Sequence, residues 1–77
     1  MSESIRVFVN GAGVSLAPGS SVLDAVQAAD AAAADEIRAG TRVIVDSRGL
    51  PVANDTAVHG GYVMRVVSAR QARAAED

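Results

Sequence analysis

Large apolar side chains are scarce in this chain of 77 residues, and that scarcity sets the kind of core it can build. Only Ile5, Phe8, Leu16, Leu23, Ile37, Ile44, Leu50, Tyr62 and two methionines are larger than valine among the apolar residues. Alanine supplies 16 of the others and valine 12. Valine suits a pleated sheet because its branched Cβ packs there, whereas alanine suits a helix because it loses no side-chain entropy. The expectation is therefore a small, mostly valine-built core with helix packing on alanine. The length allows one domain, residues 1–77, and excludes a two-domain enzyme. With no disulfide or metal staple in view, marginal stability is expected.

The pattern along the chain places the elements. Ile5-Arg6-Val7-Phe8-Val9 alternates and meets Asn10-Gly11, the signature of a strand running into a tight hairpin. Asn10 to Gly13 supplies residues that tolerate positive φ, and Val14-Ser15-Leu16 returns as a strand until Pro18-Gly19. Ser21 is positioned as an N-cap with Asp24 three residues on, and Val22, Ala25, Val26 and Ala29 follow a helical stripe that Leu23 widens. Ala31 to Ala39 has helical character, with a break near residues 30–34 where Asp30 can cap a second short helix that Gly40 would end. Thr41 to Asp46 is a strand by β-branched density, Ser47-Arg48-Gly49 a turn, and Leu50-Pro51-Val52 a short edge strand. Tyr62 to Ser68 is the last strand, and 69–77 a polar tail, leaving a core of about 5–68. One sheet with one main helix across one face is a two-layer α+β arrangement.

Composition removes several classes of chemistry. No cysteine means no thiolate metal site, no iron–sulfur ligation and no thiol nucleophile. All seven cations are arginine and the net charge is -2, which is not the clustered basic surface that nucleic acid requires. The first residues lack the charged and apolar regions of a secretory signal, and no apolar run reaches the length of a membrane span. A cytoplasmic protein without membrane or nucleic-acid partners is the expectation.

Several segments together resemble the small sulfur carriers. Ile5 to Gly11, followed by Gly19-Ser20-Ser21-Val22-Leu23-Asp24-Ala25-Val26, is similar to the N-terminal half of the ThiS/MoaD-like family of thiamine and molybdopterin synthesis. Thr41 to Asp46 with Leu50-Pro51-Val52 resembles that family's middle hairpin, and Gly60 to Val67 its closing strand. The resemblance implies a ubiquitin-like β-grasp: a mixed four- to five-stranded sheet with one main helix packed on one face and the last strand central. It departs at the tail. The carriers end in Gly-Gly, whose carboxylate is adenylated and converted to a thiocarboxylate, whereas this chain ends Ala74-Ala75-Glu76-Asp77. Cleavage after Gly61 would delete the last strand and orphan its hydrogen bonds, so Gly60-Gly61 reads as a turn.

No residue is assigned a catalytic, cofactor-binding or metal role. His59 is the only histidine and reads as a loop residue; Asn10 to Gly13 runs into a strand, not the helix a phosphate loop needs; Asp30, Asp35 and Glu36 lack calcium-loop spacing. The sheet faces are more informative. If Ile5, Val7, Val9, Val43, Val45, Tyr62, Met64 and Val66 face the helix, the open face carries Phe8, Ile44, Val63 and Val67 framed by Arg6, Arg42 and Arg65. Apolar residues rimmed by arginine are a common interface composition. The expected function is a non-catalytic interaction module docking a protein partner through this face. Phe8, Ile44 and Val67 would be anchors, Arg65 a clamp, and Arg70 and Arg73 further tail contacts. An adenylating or pathway enzyme is the partner the resemblance implies. The alternative is a sulfur carrier or relative acting with an adenylating enzyme, in which case the C-terminus itself is modified.

Overall fold

The computed structural model describes residues 3–70. Six elements follow in order: β1 (Ile5–Val9), β2 (Ala12–Leu16), α1 (Val22–Ala29), α2 (Ala31–Ala39), β3 (Arg42–Asp46) and β4 (Val63–Ser68). Of the expected polar tail 69–77, Ala69 continues from β4, its N–H donating to the Thr41 carbonyl (3.0 Å), and Arg70 is exposed, while 71–77, with Arg73, lie outside the described residues.

Asn10 and Gly11 alone join β1 to β2, both at positive φ (51° and 84°), which matches the right-handed twist of the flanking strands. The returning strand thus begins at Ala12, two residues before the expected Val14, with Val9 opposite Ala12 and Ile5 opposite Leu16. Gly13 is an ordinary strand residue, not part of the turn.

Ser21 and Asp24 form a reciprocal capping box on α1. The first two helical amides are also satisfied, Val22 N–H donating to the Thr56 carbonyl (2.9 Å) and Leu23 N–H to that of Asn54 (3.2 Å). This end of the helix is closed by the 53–58 connection. Val22, Ala25 and Val26 are buried as the stripe predicts, but Ala29, at the last residue of the helix, is exposed.

The main departure is the second helix. Asp30 is extended (φ -159°, ψ 98°), ends α1 and caps α2 by accepting from the Ala32 and Ala33 amides. The four alanines that follow then propagate a helix of nine residues, one longer than α1. Gly40 closes it in the left-handed region at φ 87°. The sheet is covered by two helices of similar length rather than by one main helix.

The sheet order is β2-β1-β4-β3. The outer pairs are antiparallel, while the central pair β1–β4 is parallel, with Phe8 opposite Val63 and Val9 opposite Met64. The last strand is therefore internal, as the resemblance implies. The expected edge strand at 50–52 is reduced to one bridge, Val45 to Pro51, flanked by hydrogen bonds from Asp46 N–H to the Leu50 carbonyl and from Val52 N–H to the Ile44 carbonyl. Proline has no N–H with which to extend that pairing.

Val7, Val9, Ile44, Met64 and Val66 from the sheet join Val22, Ala25 and Val26 of α1, Ala33, Ala34 and Ile37 of α2, and Val58 in one buried cluster. The result is a two-layer α+β domain with a core of valine and alanine, as composition requires.

Candidate functional site

The sheet has a helix-covered face and an open one, and the register assigns each strand residue between them. Ile44 lies opposite Val66 and is fully buried with it in the helix-side cluster. The expectation that Ile44 is an exposed anchor is therefore corrected. Residues two apart in a strand share a face, so Val43 and Val45 lie on the open side instead, opposite Val67 and Arg65. Both faces of β3 are apolar at its centre, so alternation alone does not decide between them. Packing decides by size: the larger side chain fills the core.

Arg42 moves with Ile44. It lies on the helix side of β3, where its guanidinium pairs with Glu36 of α2, and it does not frame the open face. The charged ends of β3 are thus both occupied, since Asp46 folds into the following turn.

Phe8, Val63, Arg65 and Val67 are on the open face as expected. Phe8 and Val63 are direct neighbours across the parallel pair, and Val63 is 43% exposed. Phe8, Val43 and Val67 are half-buried, and Val45, 3% exposed and outside the core cluster, sits between its cross-strand partners Arg65 and Pro51. Arg6 and Arg65 are exposed. Gly13 is opposite Phe8, and the Arg6 side chain lies across it so closely that a Cβ there would be 2.8 Å from Arg6 Nε. Val43, Val45, Gly13 and Ser15 are the members of this face that sequence reasoning missed.

A second feature lies where β3 ends and β4 begins. A cavity of about 390 Å³ is lined by Asp46, Ser47, Arg48, His59, Gly61, Tyr62 and Val63. The His59 and Tyr62 rings meet edge to face with centroids 5.4 Å apart. His59 is exposed, with Nδ1 3.1 Å from the Gly60 carbonyl oxygen. Asp46 is committed to its turn: Oδ1 accepts from the Arg48 (2.8 Å) and Leu50 (3.0 Å) amides. The Leu50 amide is the main cause of a carboxyl pKa held below the usual aspartate value; desolvation opposes it, and the Arg48 amide, the Arg48 charge and the Gly49 amide add to the lowering.

A carboxylate with a depressed folded pKa stabilises the fold in full above its unfolded value of about 3.9, and that contribution disappears as pH falls through the lower folded value. Asp46→Asn is accordingly expected to lower the urea midpoint at pH 7, with the gap to wild type narrowing at pH 3. A gap unchanged between the two pH values would remove Asp46 as the titrating group.

Three further acids have structural partners. Asp30 caps α2, Asp35 pairs with Arg38 at 3.1 Å, and Glu36 pairs with Arg42. Among the described residues no group of three or more His, Cys, Asp or Glu side chains is placed to hold a metal ion, and no helix is long and apolar enough to cross a membrane.

Comparison of the chain with protein-family models, with curated proteins and with solved structures finds no match. The class that the structure defines is a small α+β domain with a four-stranded mixed sheet and two helices on one face.

Proposed function

We propose that this chain is a ubiquitin-like β-grasp domain of the ThiS/MoaD-like kind, acting as a non-catalytic module that docks a protein partner through its open sheet face. The fold reading is supported by the sheet order β2-β1-β4-β3, in which the first and last strands form a central parallel pair and both helices fall between β2 and β3. The functional reading is carried by one observation: the face opposite the helices holds the chain's single phenylalanine beside exposed Val63, with Arg6 and Arg65 in the adjacent positions of the same two strands. An aromatic anchor with apolar neighbours and flanking guanidinium groups is the composition that dominates binding energy at protein interfaces.

Phe8→Asp is the test, because Phe8 is outside the core cluster and its replacement leaves the helix-side packing intact. The wild type and the variant are used to capture partners from the host lysate, with circular dichroism confirming that both fold. Loss of one specific partner from the folded variant is the expected result. Capture of the same proteins in the same amounts by both would overturn the docking reading. Retention of an adenylating enzyme by both would favour the carrier reading, in which the tail makes the decisive contact.

A further inference from the structure

The charges on the open face are all of one sign, although the chain as a whole is acidic. Its strand residues are Arg6, Phe8, Gly13, Ser15, Val43, Val45, Val63, Arg65 and Val67, with no carboxylate among them. The acids of the folded part are elsewhere: Asp24, Asp30, Asp35 and Glu36 on the helices and their caps, Asp46 and Asp55 in turns, and Glu3 in the segment before β1. Arg38, Arg42 and Arg48 each have a carboxylate within ion-pair distance. Among the described residues Arg6 and Arg65 have none.

The spacing of these two cations follows from the register. Arg6 is two residues before Phe8 in β1, and Arg65 two after Val63 in the parallel strand β4. Four residues of strand rise and one interstrand step place their Cα atoms about 14 Å apart. Phe8 and Val63 lie between them. The face therefore reads as cation, apolar pair, cation along a single line. A guanidinium pairs most strongly with a carboxylate through two parallel hydrogen bonds, and apolar walls beside it strengthen the attraction by excluding water.

We infer that the open face is built for an acidic polypeptide segment that sets a carboxylate against each of Arg6 and Arg65 and an apolar side chain between Phe8 and Val63. This rests on the docking reading and adds the chemistry of the partner. An extended segment whose acids are four residues apart, with an apolar residue midway, presents these groups on one side at about the same 14 Å span. A second copy docked face to face about a two-fold axis would oppose arginine to arginine, which the like charges disfavour. A polyphosphate backbone would be repelled by the net charge of -2.

The blocked peptide Glu-Thr-Leu-Thr-Glu, its Gln-Thr-Leu-Thr-Gln and Lys-Thr-Leu-Thr-Lys counterparts and a single-stranded oligothymidylate are the probes, each titrated at millimolar concentration into the labelled full chain and followed by amide NMR shifts. The acidic peptide is expected to move the amides of Phe8, Gly13, Val63 and Val67, and to bind roughly tenfold tighter than the neutral one at low salt, the preference fading as salt screens it. Arg6→Gln with Arg65→Gln should erase the preference while the spectrum stays dispersed. Equal binding of the acidic and neutral peptides at this face would overturn the inference and leave the docking reading standing. Stronger binding of the basic peptide or the oligothymidylate would overturn it too. No shift on the face from any probe would count against both.

Discussion

Ile44→Ala is expected to destabilise the protein by about 2–5 kcal/mol, the range for losing a large buried aliphatic side chain. Domains of this kind hold about 5–15 kcal/mol in total, so the variant should be partly unfolded or close to it. The reason lies in the composition of the core. Ile44 and Met64 are the largest fully buried side chains, and around them are Val7, Val22, Val26 and a set of alanines. Short, stiff side chains anchored on strands and capped helices cannot reach into a vacated space, so the cavity persists and its cost is not recovered by collapse. Phe8→Ala removes a bulkier side chain but from a half-buried position, and should cost less. Urea denaturation of the two variants under the same conditions separates them. If Phe8→Ala proves the more damaging, the assignment of Ile44 to the core and Phe8 to the open face is wrong.

That contrast also shows what was legible in the sequence. The first hairpin, the capped start of α1, the break at Asp30, the stop at Gly40 and the strands β3 and β4 are each announced by local chemistry: a turn dipeptide, a short oxygen-bearing side chain before a helix, a glycine after one, a run of branched residues. What was not legible depended on packing between distant segments. The face of β3 is fixed by pairing with β4 and by α2 lying over Ile44, and neither is written in the alternation of Arg42 to Asp46. Arg42 illustrates the same limit. Its neighbour in space, Glu36, sits on α2, and only the folded chain brings the pair together on the helix side. Of the candidate surface, Phe8, Val63, Arg65 and Val67 were placed correctly because β1 and β4 carry their core residues at clearly alternating positions.

The joining of the two antiparallel pairs into one sheet hangs on a narrow junction, and Asn10 is its least replaceable member. The parallel pair β1–β4 has only two residue pairs in register. Beyond the ladder itself, the junction is extended by Phe8 N–H to the Tyr62 carbonyl (2.8 Å), Asn10 N–H to the Met64 carbonyl (3.1 Å) and Gly61 N–H to the Arg6 carbonyl (2.8 Å). To these the Asn10 side chain adds one of its own, accepting from Val66 N–H at 3.0 Å. The backbone of Asn10 is at φ 51°, where asparagine is tolerated far better than alanine. Asn10→Ala thus loses twice: the Val66 amide is left without its acceptor, at about 1–3 kcal/mol, and the left-handed backbone adds about 1–2 kcal/mol. Asn10→Gly relieves the backbone but not the missing acceptor, and Asn10→Asp keeps both the turn and an oxygen in place. The expected order of stability is wild type, Asp, Gly, Ala, read from urea midpoints, with faster hydrogen exchange at the Val66 amide in the Gly and Ala variants. A glycine variant as stable as wild type, with the Val66 amide still protected, would show that this side-chain bond contributes nothing and that the turn alone explains the residue. If the order holds, Asn10 serves two distant parts of the chain at once, turning β1 into β2 and fastening the end of β1 to the last strand.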